Sequence, residues 1–185
     1  MMADRIRHLR PALLLLGFAA FTLPLMPVQQ LLLWFWPGAA ARFPHWYHRK
    51  VARLLGIDVT ITGPRPHQGP AFIVANHVSW LDIIVLSAAA PVSFVAKKEV
   101  AKWPFFGVLA RLQRTVFVDR ERRQSTGKER DEISDRLKEG GMIVLFPEGT
   151  SHTGREVLAF RSSYFAAVHD PDIPVIPVTL VYKAR

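Results

Sequence analysis

The chain opens on an apolar stretch and then changes rhythm. No charged residue occurs in residues 11–41, and the run ALLLLGFAAFTLPLMPVQQLLLWFW fills most of that interval. A helix needs about 20 apolar residues to cross a bilayer. Pro24 and Pro27 divide the run into residues 12–23 and 28–36, each too short to cross alone. Two arrangements follow. One is a kinked, tilted span; the other, preferred here, is a helical hairpin dipping into one leaflet with Trp34, Trp36 and Trp46 at the interface. Arg5, Arg7 and Arg10 precede the run, and the heavier basic cluster of Arg42, Arg49, Lys50 and Arg53 follows it. Under either topology this bias leaves the rest of the chain on the cytoplasmic side. A secretory signal peptide would share the basic start and the small residues Ala39, Ala40 and Ala41. This region is too long, and too aromatic near the would-be cleavage point, to be one.

Beyond residue 41 helical stretches alternate with short β-branched runs bounded by Gly, Pro or Asn. Strands are expected at 57–62, 71–75, 92–96, 115–118, 142–146 and 175–181, and helices at about 43–55, 79–89, 104–112, 122–139 and 158–169. The alternation predicts an α/β domain with a mixed central β-sheet flanked by helices. To this is joined an N-terminal apolar membrane-inserted helix or helical hairpin. The division expected is an anchoring segment over 1–41 and one catalytic domain over 42–185, since 185 residues suffice for a single core. The pattern ends on an apolar strand with no closing helix, as a C-terminal truncation would leave it.

Charge narrows the choice of partner. The 24 Lys and Arg against 15 Asp and Glu give a net charge of +9 and point to anionic partners: nucleic acid, acidic lipid or a phosphorylated substrate. The apolar entry argues for lipid, because nucleic-acid modules rarely begin this way. With no cysteine, thiolate zinc sites, disulfides and cysteine nucleophiles are excluded. The polar segment ERRQSTGKERDEISDRLKEGG reads as a solvated surface helix ended by Gly140. Its Gly127-Lys128 lacks the upstream glycine of a phosphate loop.

Three stretches carry candidate chemistry. In AFIVANHVSWLDIIVL an apolar strand ends at Asn76-His77 and a helix begins near Ser79, a plausible N-cap. His77 then lies on the turn and Asp82 in the first helical turn. There the carboxylate can accept the Nδ1 hydrogen and leave Nε2 free as a base. The spacing alone is weak, since seven His and eight Asp in 185 residues produce roughly 0.3 chance matches. In LFPEGTSHTG a strand runs into a turn shaped by Pro147, Gly149 and Gly154 that offers Glu148, Thr150, Ser151 and His152. This arrangement suits contact with a hydroxyl or polar head group. In TVFVDRERR a strand delivers Arg120 to its end, within a basic region that runs from Lys97 to Arg123. A guanidinium there can pair with phosphate, while most of the other cations form a solvated face toward anionic lipid.

Asn76-His77-x-x-x-x-Asp82, the strand ending at Arg120, Phe146-Pro147-Glu148-Gly149-Thr150 and Val175-Ile176-Pro177-Val178 occur together in the order of four sequence blocks. They resemble those of the glycerolipid acyltransferase family that includes 1-acylglycerol-3-phosphate acyltransferase. The match runs from about residue 40 to 181. The resemblance implies His77 as base, Asp82 as its orienter, and Arg120, Glu148, Gly149 and Thr150 as holders of the acceptor. Pro177 would lie near the acyl-donor side, and Asn76, Ser79 and Lys97 are secondary candidates. A thioester is already activated, so a base that deprotonates the incoming hydroxyl suffices without an acyl-enzyme or a metal. Backbone N–H groups at the start of the following helix are expected to hold the oxyanion.

The implied reaction moves a fatty acyl group from acyl-CoA or acyl-carrier protein, as co-substrate and with no other cofactor, to a lysophospholipid hydroxyl. The first acceptor expected is 1-acylglycerol-3-phosphate, giving phosphatidate. Arg114 stands where the second block usually has glycine, Ser151 where the third often has arginine, and Ser163 where a later glycine is usual. These departures bring in an alternative, lyso-ornithine lipid O-acylation. Rival classes are a non-catalytic membrane lipid-binding protein and a hydrolase. The expected setting is the cytoplasmic face of the inner membrane, with membrane lipid and lysolipid as partners and no nucleic acid.

Overall fold

The computed structural model describes residues 2–64, 69–119, 127–154, 156–160 and 172–183, leaving aside the side chains of 2–10 and 127–130. The apolar entry forms one helix, α1 (Met2–Phe35), that continues through Pro11, Pro24 and Pro27. The break expected at Pro24 and Pro27 is therefore absent. A proline removes one helical hydrogen bond and strains another. In an apolar surrounding, leaving the helix would expose many backbone groups at greater cost. The chain reverses instead at Trp36, whose dihedrals are non-helical, and Pro37 opens α2 (Pro37–Leu54) at a position where its missing N–H is not needed. A helical hairpin thus forms, with its turn at residue 36 and residue 41 inside α2. Thr22 Oγ1 and Tyr47 OH lie 2.7 Å apart. The rings of Phe21 and Tyr47 stack at 5.7 Å, and Gln29 Nε2 donates to Ala40 O at 3.0 Å and to Leu112 O at 2.8 Å. Over residues 11–35 the helix is long and apolar enough to cross a membrane and is only 6% buried within the protein.

The remaining elements are β1 (Ala71–Ala75), α3 (Leu81–Ala89), β2 (Val92–Lys97), a 3-10 turn (Lys98–Lys102), α4 (Phe106–Leu112), β3 (Val116–Val118), α5 (Gly127–Lys138), β4 (Met142–Leu145) and β5 (Val175–Val178). The strands form one sheet in the order β3-β2-β4-β1-β5, and every pairing is parallel. Strand residues alternate between two cores, as the two-residue period requires. Ala71, Ile73, Phe94, Val144 and Phe146 face the side covered by α3. Phe72, Val95, Val116, Ile143 and Leu145 face α5 through Ile133 and Leu137. Outside α3, Val51 and Ala52 of α2 pack on Ile84, with Phe18 and Phe21 of α1 behind them. Fully burying each Val, Leu, Ile or Phe contributes about 1.5–3 kcal/mol. The layers therefore run α5, sheet, α3, then the α1–α2 hairpin.

Two further expectations fail within the described residues. Residues 57–62 form no strand. Ile57 and Val59 face the α2–α3 cluster, so the apolar alternation is met by packing without any ladder partner. Residues 158–160 are not helical, and the rest of the helix expected at 158–169 lies outside the described residues, as do residues 122–126 of the one expected at 122–139.

Candidate active site

His77 and Asp82 meet at the carboxyl end of β1, where open parallel sheets place their ligands. Asp82 sits in the first turn of α3 and is completely buried. His77 Nδ1 lies 2.8 Å from Asp82 Oδ2. The same oxygen accepts the backbone N–H of Val78 at 2.7 Å and of Ser79 at 2.9 Å, and Tyr182 OH donates to Oδ1 at 2.5 Å. Burial pushes the Asp82 carboxyl up, but donation from His77, Ser79, Tyr182 and Val78 outweighs it and holds the group below its ordinary value. An ionised carboxylate can only accept. Nδ1 of His77 therefore carries the hydrogen, and Nε2, which has no bonded partner among the described residues, is the basic nitrogen.

The third stretch packs directly against this pair, because β4 is the neighbour of β1. The His77 ring stacks on Phe146 with centroids 4.2 Å apart and planes at 19°. The turn that follows is closed by Gly149 N–H on Phe146 O at 3.1 Å, with Gly149 at φ +73°. Glu148 points inward. Its Oε1 accepts the backbone N–H of His77 at 3.0 Å and its Oε2 that of Leu158 at 2.9 Å. His152 Nε2 stands 2.5 Å from Glu148 Oε2. Gly154 N–H donates to His152 Nδ1, so the proton belongs on Nε2, which lies close to Glu148 without the geometry of a hydrogen bond. His152 N–H also bonds His77 O at 3.2 Å, so both backbone groups of His77 are held by this turn. Gly154 is needed here: it lies at φ +74°, and a Cβ would meet Val78 Cγ1 at 3.1 Å.

A cavity of about 520 Å³ opens beside the pair, lined at one end by His77, Gly149, Thr150 and Ser151. It extends past Phe94 and Ile83 to Phe18, Leu25 and Met26 of α1. Trp80, Trp103 and Phe106 line it and are also largely exposed, which places them at its mouth. Along its wall His48 Nδ1 meets Ser87 Oγ at 2.9 Å, and Gln113 Nε2 reaches the same hydroxyl at 3.2 Å. Burial depresses the His48 imidazole to about 4, more than its Pro44 backbone bond restores, so it is neutral.

The other sequence candidates divide. Gly149 and Thr150 line the cavity, as does Lys97, whose Nζ lies 6.0 Å from the Trp103 ring centroid. Glu148 does not line it; it braces His77. Asn76 bonds both backbone groups of Leu180, at 3.1 and 2.7 Å. Ser79 Oγ accepts Leu81 N–H at 3.3 Å from just ahead of α3, whose N-cap position is Trp80 and not Ser79. Pro177 lies on β5, at the sheet edge among the described residues and away from the cavity, where its missing N–H is tolerated. Arg120 and Ser163 lie outside the described residues. The N–H groups of Val78 and Ser79 are taken by Asp82, so they do not form the expected oxyanion site. Arg114 has φ +61° just after α4, a left-handed backbone that suits glycine better; its guanidinium pairs with Glu139, not with the cavity. Sequence reasoning did not assign roles to Tyr182, Phe146 or His152. Phe146 and His152 carried a signal, as members of the third stretch, and Tyr182 carried none.

The parallel α/β sheet thus carries a buried carboxylate that orients a histidine over an apolar cavity, a site equipped for general-base chemistry at an acyl group. Residues 56–181 match the family described as Acyltransferase, and the chain belongs to that family. It is 43% identical to the lyso-ornithine lipid O-acyltransferase of Brucella abortus (strain 2308), with 96% of this chain and 69% of the relative covered. Identity to the enzyme of the same name from Rhizobium meliloti (strain 1021) is 42%, covering 96% and 60%. With the 1-acyl-sn-glycerol-3-phosphate acyltransferase of Neisseria meningitidis serogroup B (strain ATCC BAA-335 / MC58) it is 34%, covering 72% and 53%. The chain thus spans from about half to somewhat over two thirds of these relatives. The fold is that of the crystal structure of the 1-acyl-sn-glycerophosphate acyltransferase PlsC from Thermotoga maritima. That comparison has a TM-score of 0.68 at 24% identity, covering 91% of this chain and 73% of that one.

Proposed function

We propose that this chain transfers a fatty acyl group from a thioester, acyl-CoA or acyl-carrier protein, to the hydroxyl of a membrane lysolipid. The carrying observation is the placement of His77. Its Nδ1 is committed to Asp82, and the ring lines a cavity whose far wall is the apolar helix α1. The acceptor hydroxyl oxygen attacks the thioester carbonyl as its proton passes to Nε2, and Asp82 stabilises the imidazolium that forms. The tetrahedral intermediate then collapses, the carbon–sulfur bond breaks, and the proton moves from Nε2 to the leaving thiolate. With the first turn of α3 occupied and the Gly149 N–H given to Phe146 O, the oxyanion donors belong on Thr150 and Ser151 beside His77. No other cofactor enters the step. His77 and Asp82 are the catalytic pair; Gly149, Thr150, Lys97 and Arg120 serve the acceptor or donor, and Glu148 serves His77.

The acceptor we favour is a lyso-ornithine lipid, reversing the order that the sequence blocks alone suggested. Identity is higher to the two relatives of that name than to the lysophosphatidate enzyme, and Ser151 lines the cavity where arginine is usual in the third block. Lysophosphatidate is the second reading. The chain would work at the cytoplasmic face of the inner membrane with α1 embedded. The test is a panel of lysolipids with both donor types, products identified by mass spectrometry. Diacylated ornithine lipid, lost in His77→Ala, is expected; phosphatidate alone would reverse the acceptor assignment. Transfer retained in His77→Ala would remove the assignment of the base.

A further inference from the structure

Asp82 is the best-connected carboxylate of the site, and one of its four donors lies outside the four sequence blocks. Three donors converge on Oδ2: His77 Nδ1, Val78 N and Ser79 N. The fourth, Tyr182 OH, reaches Oδ1 at 2.5 Å from 100 residues away in sequence. That is the length of a strong hydroxyl-to-carboxylate bond. The contact is built rather than incidental. The Asn76 side chain bonds both backbone groups of Leu180, which carries the pairing of β1 with β5 one step beyond Ala75 and Val178. The residue just before His77 therefore holds the segment that delivers Tyr182.

We propose that Tyr182 is a positioning residue that sets the proton affinity of the His77–Asp82 pair by drawing carboxylate charge toward Oδ1, away from the imidazole. This rests on the reading of His77 as the base. The two carboxylate oxygens share one charge, so a close donor on one oxygen weakens the attraction exerted by the other. Burial and the nearby Asp82 charge both raise the Tyr182 hydroxyl, which keeps its proton, and donates, at every working pH. Other titratable groups around His77 are Glu148, at its backbone N–H, His152, against Glu148, and Lys97, on the cavity wall. None of them bonds the Asp82 carboxylate, so removing the tyrosyl hydroxyl alters the pair directly. Tyr182 is 41% exposed, and phenylalanine keeps its ring while deleting the hydroxyl and its bond.

The experiment compares Tyr182→Phe with wild type, as full chains in detergent micelles. One measurement is the pH dependence of kcat/KM for acyl transfer. The other is the titration of His77 in protein labelled with nitrogen-15 histidine, its resonance assigned by loss in His77→Ala. In Tyr182→Phe the carboxylate acts on the imidazolium undiluted, so His77 holds its proton more tightly. The acid limb of the profile and the His77 titration then move together to higher pH by about half to one unit, a roughly three- to tenfold loss of rate below the limb. The plateau changes little. An unmoved limb and titration, a shift to lower pH, or a uniform drop at all pH values, as a packing role would produce, overturns the proposal. If wild type transfers no acyl group, the functional reading fails separately. The His77 titration still decides the role of Tyr182.

Discussion

Replacing Asp82 by asparagine removes one charge from a site whose geometry is otherwise pinned. The backbone N–H groups of Val78 and Ser79 and Nδ1 of His77 all point at Oδ2. The asparagine amide must put its carbonyl there, since an NH2 would face three donors. Its NH2 then faces the Tyr182 hydroxyl, which can turn and accept. The His77 tautomer therefore survives, and the main loss is stabilisation of the imidazolium. Two unit charges about 4 Å apart at an effective dielectric near 20 attract by about 4 kcal/mol, which amounts to roughly a thousandfold in kcat. KM is expected to move little, because the buried carboxylate does not line the cavity. The loss of folding stability should be about 1–3 kcal/mol, from weaker acceptance of the same bonds. Single-turnover acyl transfer and a thermal melt on the same preparation check both values. A folded Asp82→Asn enzyme with less than a tenfold loss would refute the assignment of Asp82 as the partner of a cationic intermediate.

Glu148→Gln should lower kcat about ten- to a hundredfold with acceptor KM nearly unchanged, because its carboxylate holds His77 N–H and not the cavity; a raised KM with normal kcat would instead mean acceptor contact. His48 is held neutral by burial at about 4, so acidification from its ordinary value near 6.5 toward 4 favours proton uptake by the unfolded chain. Its contribution is fully present above that window and is lost on going down through it. Denaturant melts should fall with decreasing pH by up to roughly 3 kcal/mol more in wild type than in His48→Gln. Arg114→Gly relieves a left-handed residue after α4 and gives up only a pairing with exposed Glu139, so melting should show a gain of about 0.5–1 kcal/mol.

Much of this protein was readable in the chain because its signals are local. Strand and helix periodicity placed the five strands of the described residues and the helices that flank them, since alternation and amphipathicity depend on near neighbours. The same reasoning misled at 57–62, where alternation is satisfied by packing on α2 and α3. It also misled at Pro24 and Pro27, where local breaking propensity yields to the continuity of a long apolar helix.

His77 and Asp82 are five residues apart, so their meeting was a matter of one turn, and the sequence determined it without help from the rest of the fold. Glu148 was legible as a site residue, but its task was not. That it grips the His77 backbone from 71 positions away follows from β4 entering the sheet beside β1, an ordering that depends on which strands pair. Tyr182 is the extreme case: it lies past the last of the four blocks with no pattern of its own to mark it, and the pairing of β5 with β1, continued by Asn76 and Leu180, brings its hydroxyl to Asp82. The cavity belongs to the same kind of decision, since its walls come from α1, α2, α3, β2, α4 and the turn after β4 at once. Composition and spacing set the chemistry available to this chain, while strand order and the packing of the hairpin decided which groups share a carboxylate and what the histidine faces.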